Sequence, residues 1–217
     1  LSGRLSKIDS DGYIERASSD LKSYFLQGIF IDENTQIKAL AFGGFERTYQ
    51  SWFGIDETTL KTNRSYNPAG ENYDSEGNVI GFYEDQVDNY NQDHYQLHWE
   101  QGINAYWSLA LGLNYTYGRG YYQELNDIWY DQNIGFSGNT SANYLQLPQT
   151  DAVDTENITQ KWLDNDFYVA NLMAAFEKGT QKLNLGFSYS NYLGDHFGTL
   201  IWAQNAGGAL PNHKFYE

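Results

Sequence analysis

Six side chains in or beside the two longest irregular stretches of the sequence are of types that could hold a ligand. Tyrosine and tryptophan rings offer flat apolar faces with a polar edge, and arginine offers a fixed charge that pairs with anions. The six are Tyr49, Trp52, Phe53, Trp129, Tyr130 and Arg47. We interpret them as a stacking surface for a planar or chelated ligand, with self-packing of the surrounding loops as the alternative.

Two histidines, His94 and His98, stand on one face of a predicted strand. Four residues of a strand span about 13 Å, whereas the ligands of a zinc ion lie about 2 Å from the metal. The pair therefore cannot chelate one zinc ion, and we expect both rings to line an inner wall. The sequence has no cysteine and no G-x-S-x-G motif, so we expect no enzymatic activity.

Negative charge is concentrated in two stretches, residues 52–90 and 122–164. The first holds eight acids against two bases and the second seven acids against one base, which is most of the net charge of -15. Such a surface either concentrates cationic or metal-bearing ligands or is simply solvated and resists aggregation. We expect no cofactor, although residues 74–78 resemble part of a calcium loop and make a structural Ca²⁺ a secondary expectation. The acidic balance argues against nucleic acid as a partner.

The stretch between these two acidic regions indicates what kind of element positions them. Large residues occupy the odd positions from Trp107 to Tyr117, and small or polar residues occupy the even positions. Strict alternation places the two classes on opposite faces of a β-strand. The large face is aromatic at both ends and leucine-rich in the middle, which is typical of a strand that crosses a bilayer. The other face lacks bulky residues, as expected for the wall of a wet or plugged lumen.

The same alternation predicts seven antiparallel strands. They cover residues 2–9, 19–31, 36–50, 92–101, 105–121, 165–177 and 181–202. Their connections alternate between turns of about three to five residues and two loops of about forty, as in outer-membrane barrels. Single-chain bacterial barrels have an even number of strands, so seven strands predict a piece of a larger barrel. The sequence contains no run of about 18 apolar residues and predicts no transmembrane helix.

Five segments, in this order, resemble TonB-dependent outer-membrane receptors, particularly those of Bacteroidetes. They are SDGYIERASSDLKSYF (10–25), ERTYQSW (46–52), GRGYY (118–122), WLDNDF (162–167) and GDHFG (194–198). The resemblance extends over most of the chain, from residue 2 to about residue 203.

The resemblance implies a 22-stranded transmembrane β-barrel with an N-terminal plug, in the outer membrane of a Gram-negative bacterium. Such a receptor imports a scarce nutrient, for example an iron–siderophore, haem or cobalamin. Residues 1–217 would form part of that one barrel domain, without the plug, and residues 52–90 and 122–164 would be extracellular loops. The partners implied are the nutrient, lipopolysaccharide and outer-membrane lipid, and TonB–ExbB–ExbD acting through an N-terminal region outside this chain.

Two other kinds of protein share parts of this pattern. A passive outer-membrane channel or an adhesin-like barrel would have the same strands without a plug. A soluble carbohydrate-binding β-sandwich would also have strands with alternating aromatic residues. It would fold without lipid, whereas an open wall of seven strands leaves its edges unpaired.

Overall fold

Antiparallel β-strands make up most of the chain. The computed structural model describes residues 1–129, 141–148 and 155–217. In chain order the elements are β1 (Ser2–Ser10), β2 (Ser19–Ile31), β3 (Thr35–Tyr49), α1 (Glu57–Thr62), β4 (Glu71–Tyr73), β5 (Val79–Phe82), β6 (Val87–Gly102), β7 (Trp107–Asn126), α2 (Ser141–Tyr144), β8 (Asn157–Lys178), β9 (Gln181–Ala203) and β10 (His213–Tyr216). The all-β class predicted from the sequence is confirmed.

Eight of the strands form one sheet in the order β1-β2-β3-β6-β7-β8-β9-β10, and every neighbouring pair is antiparallel. β4 and β5 form a separate hairpin. The seven predicted strands are present as β1 to β3 and β6 to β9, but β10 brings the main sheet to eight strands, so the odd strand count predicted from the sequence is wrong. The alternation gave no sign of β4, β5, α1 or β10, because elements of three to six residues are too short to show a hydrophobic period.

The central strands are longer than the alternation predicted. β7 runs to Asn126 and β8 begins at Asn157, so paired strands occupy both ends of the stretch 122–164 that the sequence assigned to a loop. β6 likewise begins at Val87, inside the first predicted loop. In these segments both faces of the sheet carry polar residues: Gln123 lies on the apolar face and Glu124 on the polar face. The hydrophobic alternation therefore stops while the backbone pairing continues.

The connections differ in length between the two ends of the main sheet. At one end, three short turns cover residues 32–34, 103–106 and 179–180. At the other end, which we call the long-loop end, the connections cover residues 11–18, 50–86, 127–156 and 204–212. All the strand-to-strand connections that could carry a sizeable surface thus lie at one end of the sheet.

The cross-strand register collects the large side chains of neighbouring strands on one face of the sheet. One row of paired residues crosses six strands and is apolar throughout: Phe30, Ile37, Trp99, Leu111, Leu172 and Phe187. We call this side the apolar face. The opposite side, the polar face, carries the intervening residues, such as Gln96 and Asn114, whose side chains form a hydrogen bond of 3.1 Å.

Aromatic residues flank the middle of the apolar face on both sides along the strand direction. Toward the long-loop end, Tyr95, Tyr115 and Tyr168 stack in one row, with ring centroids 6.1 and 4.9 Å apart. Toward the short turns, the rings of Trp107 and Phe176 are in contact, with centroids 5.0 Å apart. Between these aromatic rows the face consists mainly of leucine and alanine.

The buried apolar side chains lie at the long-loop end and not in the middle of the sheet. Among the described residues they are Tyr49, Ala69, Val87, Leu145, Leu147, Leu200 and Phe215. The middle of the apolar face is uncovered, with Phe187 66% exposed and Leu172 45% exposed. The accessible surface of 13995 Å² also exceeds the roughly 10,000 Å² expected of a compact protein of 24.9 kDa. The sheet therefore presents apolar surface that the described residues do not cover.

Candidate functional site

Two of the residues predicted to bind a ligand, Arg47 and Tyr49, continue the apolar face beyond the tyrosine row. Arg47 Nη2 donates a hydrogen bond of 2.5 Å to Asp85 Oδ1, so its charge is already paired. Tyr49 is only 6% exposed, and its hydroxyl donates to the carbonyl oxygens of Ala69 and Tyr83 at 3.0 and 2.8 Å. Burial raises the pKa of Tyr49. Tyr49 therefore anchors the first long connection and has little surface left for a ligand.

The other predicted aromatic residues differ in their exposure and contacts. Trp52 and Phe53 are 59% and 41% exposed, and their rings stack with centroids 6.1 Å apart. Trp129 stacks on Tyr73, with centroids 4.9 Å apart. Tyr130 lies outside the described residues. Trp52 and Phe53 thus keep the open ring surface that a stacking platform needs.

His94 and His98 both lie on the polar face, as the alternation predicted. The His94 ring stacks on Phe42 with centroids 4.6 Å apart, and its Nδ1 lies 2.9 Å from Thr116 Oγ1. His98 Nε2 lies 3.3 Å from Gln96 Oε1. Both rings therefore belong to a hydrogen-bonded wall.

The turn at residues 74–78 is held by its own aspartate. Asp74 Oδ1 accepts hydrogen bonds from the backbone N–H groups of Glu76 and Asn78, each at 2.9 Å. Hydrogen bonds from the backbone and side chain of Asn78 lower the pKa of Asp74. Within the described ranges, no three histidine or acidic side chains are grouped closely enough to hold a metal ion. The carboxylate therefore acts in folding the turn.

A group of polar and aromatic side chains that the sequence did not single out lies on the polar face at the long-loop end. The register places Asp88 opposite Tyr122, and Tyr122 opposite Lys161. Lys161 Nζ lies 3.1 Å from Glu124 Oε2 and 5.1 Å from the centroid of the Tyr122 ring. Burial opposes the charge of Lys161, but the Glu124 carboxylate beside it keeps the lysine pKa above its ordinary value. An ammonium group is thus held between a carboxylate and an aromatic face.

More aromatic rings stand beside Lys161, over the glycine that faces it on β9. A Cβ atom on Gly198 would lie 2.4 Å from Phe215 and 2.5 Å from Tyr216, so only glycine lets these rings approach the sheet. The Phe215 ring also contacts Tyr144 and Tyr216, with centroids 5.3 and 5.1 Å apart. β10 and the end of α2 therefore bring aromatic side chains onto the polar face.

Two carboxylates lie on the other side of Tyr122. Asp88 occupies the neighbouring strand, and Glu46 is close enough that the Asp88 charge acts on it. Burial raises the pKa of Asp88, and burial followed by the Asp88 charge raises the pKa of Glu46. In the part of the chain that the structure describes, neither carboxylate forms an ion pair. Their side of Tyr122 therefore lacks the positive charge that Lys161 supplies on the other.

We call these side chains the polar-face cluster: Glu46, Asp88, Tyr122, Glu124, Tyr144, Lys161 and Tyr216. Continuing the alternation past residue 121 would have placed Tyr122 and Glu124 on the polar face. Their meeting with Lys161 depends on the register between β7 and β8, which periodicity does not supply.

Comparisons with known proteins do not indicate a function, so the function has to be inferred from the fold and its surfaces. No family model matches the sequence, and comparisons with curated proteins and with solved structures give no match. None of the described helices is long and apolar enough to cross a membrane. The observations that bear on function are therefore the two faces of the sheet, its two unequal ends and the polar-face cluster.

Proposed function

We propose that this chain forms part of the wall of a transmembrane β-barrel in the outer membrane of a Gram-negative bacterium. Its apolar face contacts lipid, its polar face lines the lumen, and its long-loop end is extracellular. We propose further that the barrel belongs to a TonB-dependent receptor that imports a scarce nutrient, such as an iron–siderophore, haem or cobalamin.

The observation that carries the membrane proposal is the height of the uncovered apolar face. From Trp107 to Tyr115 the strand advances about 26 Å, at about 3.3 Å per residue. For a strand tilted by about 40°, this is about 20 Å along the bilayer normal, close to the roughly 25 Å apolar band of known barrels. The aromatic rows at both limits correspond to the girdles that such barrels place at the two lipid–water interfaces.

The positions of the short turns support a tilted barrel wall. The row of paired residues Ile37, Trp99, Leu111 and Leu172 gives a reference line across the sheet. Along the strands, the turn at 32–34 lies about four residues from this row, the turn at 103–106 about six and the turn at 179–180 about seven. The stagger is thus about one residue per strand. With about 3.3 Å per residue and 4.8 Å between strands, it corresponds to a tilt of about 35°. Closing a sheet into a barrel requires a stagger of this kind.

The polar face and the loops fit the remaining parts of the proposal. The polar face carries side-chain hydrogen bonds between strands, such as Ser188 to Asn171 at 2.7 Å, as expected of a wall that faces water or a plug. Among the described residues no second sheet covers the middle of the apolar face, which a soluble β-sandwich would require; the β4–β5 hairpin lies at the long-loop end. The receptor proposal rests on the five segments that resemble TonB-dependent receptors. On this proposal, the plug and the TonB–ExbB–ExbD partners act from outside this chain.

Energised uptake separates such a receptor from a passive channel. Uptake of radiolabelled ferric siderophore, haem and cobalamin is measured in cells with and without the protein, before and after addition of a protonophore. We expect at least one of the three to enter only when the protein is present and the inner membrane is energised. Uptake that survives the protonophore would identify a passive channel, and no protein-dependent uptake would contradict the nutrient proposal.

A further inference from the structure

A second row of aromatic side chains crosses the apolar face at the long-loop end. Tyr121, Trp162 and Phe197 are directly paired across β7, β8 and β9, and we call them the outer aromatic row. The ring centroids of Tyr121 and Trp162 are 4.6 Å apart, and those of Trp162 and Phe197 are 5.9 Å apart. All three residues are partly exposed. The row stands six residues beyond Tyr115, about 20 Å along the strand, so it lies outside the band that we assign to lipid.

Two cations lie over the rings of the outer aromatic row. The Arg119 guanidinium is 5.4 Å from the centroid of the Trp162 ring, and the Lys214 ammonium is 4.4 Å from that of the Phe197 ring. The two charged side chains are 51% and 47% exposed. Both can therefore turn toward a ligand that covers the row.

Carboxylates accompany these cations. Asp164 lies 3.5 Å from Arg119, and Glu217 lies 2.6 Å from Lys214. Asp195 is directly opposite Asp164 and forms no ion pair among the described residues. With donors and acceptors side by side next to aromatic rings, the surface suits a ligand with many hydroxyl groups better than a simple anion.

A buried hydroxyl group beside the row lacks a hydrogen-bond partner. Thr199 follows Phe197 by two residues on the same face and is directly opposite Lys214 on β10. Thr199 is 8% exposed, and its buried Oγ1 has no hydrogen-bond partner in the described part of the chain. Because buried hydroxyl groups are normally paired, this one is ready to accept or donate a hydrogen bond when a ligand supplies the partner.

We propose that the outer aromatic row, together with the charged side chains beside it, binds a phosphorylated sugar of the lipopolysaccharide core. The apolar side of the sugar ring covers the exposed aromatic surface, and its hydroxyl groups form hydrogen bonds with the carboxylates. The phosphate draws the Lys214 ammonium away from Phe197, which opens Thr199 Oγ1 to a sugar hydroxyl group.

The position of the row selects this occupant among saccharides. For a strand tilted by about 40°, the row lies about 15 Å beyond the tyrosine row along the bilayer normal. It is continuous with the proposed lipid-facing surface, and the sugars of lipopolysaccharide stand directly above its acyl chains. The inference rests on the proposed function, since it needs this face to be the outside of a barrel in the outer membrane. It assigns the row to an outward contact and not to the imported nutrient.

Calorimetric titration of the purified protein, in detergent free of lipopolysaccharide, tests the inference. The probe is the soluble core oligosaccharide, separated from lipid A with its phosphates retained, and maltohexaose is the unphosphorylated comparison. We expect saturable binding of the core oligosaccharide that weakens at high salt, and no binding of maltohexaose. The absence of saturable binding would overturn the inference, and equal binding of maltohexaose would overturn the assignment to lipopolysaccharide.

Variants locate the binding. Trp162→Leu and Lys214→Gln should each weaken binding of the core oligosaccharide about tenfold, because each removes a direct contact with the sugar or its phosphate. Trp99→Leu is the control for the first, since Trp99 is a partly exposed tryptophan in the middle of the same face. Lys182→Gln is the control for the second, since Lys182 is an exposed lysine paired with Glu177. An equal loss in the controls would contradict a defined site.

Thr199→Val tests the buried hydroxyl group, because it removes the oxygen with little change in volume. The variant without ligand should melt at the same temperature as the wild type or higher, since it loses an unpaired polar group. It should nevertheless bind the core oligosaccharide more weakly. A lower melting temperature would show that the hydroxyl already has a partner and would contradict its role in binding.

The outcome can be read separately from the membrane proposal. Each variant is checked for strand content by circular dichroism in detergent, so a folded, detergent-requiring protein that does not bind the core oligosaccharide refutes only this inference. A protein that is soluble and folded without detergent would refute the membrane proposal, whatever the titration shows.

Discussion

At the scale of single residues, burial at the long-loop end decides which polar side chains can act on a ligand. Tyr49 and Gln50 are used to build the core of the first connection, since Gln50 Nε2 donates to the Gln123 carbonyl oxygen at 3.1 Å and is 1% exposed. Asp88 is partly buried and forms no ion pair among the described residues, whereas Glu46 is exposed. Tyr49 and Gln50 stabilise the fold, whereas ionisation of Asp88 costs stability.

The Asp88 carboxylate gives this cost a pH dependence. Burial raises the pKa of Asp88 in the folded state. At a pH between the unfolded and the folded pKa, the folded protein therefore keeps a proton on Asp88 that the unfolded chain has released. The stabilising effect of that proton is complete below the unfolded pKa of about 4 and is lost as the pH rises through the folded value. Asn cannot ionise, so Asp88→Asn should be more stable than the wild type at pH 7, by about 1 kcal/mol or less, and equally stable near pH 3.

Thermal melting in detergent across this pH range measures the difference, with Asp195→Asn as the control, since Asp195 is an exposed aspartate on the apolar face of β9. A lower melting temperature for Asp88→Asn at pH 7 would show that the ionised carboxylate has a stabilising partner.

At the scale of secondary-structure elements, glycines allow side chains to reach across a strand. Gly43 on β3 lies between Tyr24 on β2 and Asp93 on β6, in one row of the apolar face. The Tyr24 hydroxyl donates to Asp93 Oδ1 at 2.8 Å. A Cβ atom on Gly43 would lie 2.3 Å from that oxygen and 2.5 Å from the carbonyl oxygen of Gln92. The glycine is therefore needed for this contact between three strands.

Gly43→Ala should destabilise the sheet by about 1–3 kcal/mol, because the added methyl group overlaps both a side chain and the backbone. Gly28→Ala is the matched control: Gly28 lies on the same face of β2, and its Cβ would meet nothing within 4 Å. Denaturant unfolding of the two variants gives the comparison. Equal destabilisation by the two substitutions would show that the cost does not come from overlap with the Tyr24–Asp93 contact.

The alternation of side chains in the sequence predicts the seven long strands but not the polar-face cluster. Alternation located the seven long strands because each has a face with apolar side chains at every second position. It failed beyond the tyrosine row, where polar residues occupy both faces of β7 and β8. The sequence predicts Arg47 and Tyr49, at the end of a strand, as ligand-binding residues although they continue the apolar face, and it places Tyr122 and Lys161 in a loop. The polar-face cluster needs the register of three neighbouring strands, which no single segment of sequence contains.

At the scale of the whole molecule, the two faces and the two ends of the sheet support one account. The apolar face is uncovered over a height close to that of the apolar band of known barrels, and the long connections lie at one end. β7 continues for about ten residues past Tyr115, so the proposed wall extends about 30 Å along the strand beyond the tyrosine row. That outer part holds the buried connections and the polar-face cluster, and we propose it as the ligand-facing part of the barrel.

The most direct test of the central claim, that the apolar face contacts lipid, is site-directed spin labelling in lipid vesicles. The chain contains no cysteine, so a single cysteine can be placed and labelled at Leu109, Leu111 or Leu113, and at Gly112 or Asn114 for comparison. Electron paramagnetic resonance then measures collisions of each label with oxygen, which is enriched in lipid, and with a water-soluble nickel chelate. We expect oxygen collisions to be high at the three leucine positions and low at the other two, alternating with a period of two residues. Labels at the leucine positions that collide freely with the nickel chelate, or no alternation between the faces, would contradict the membrane-spanning barrel.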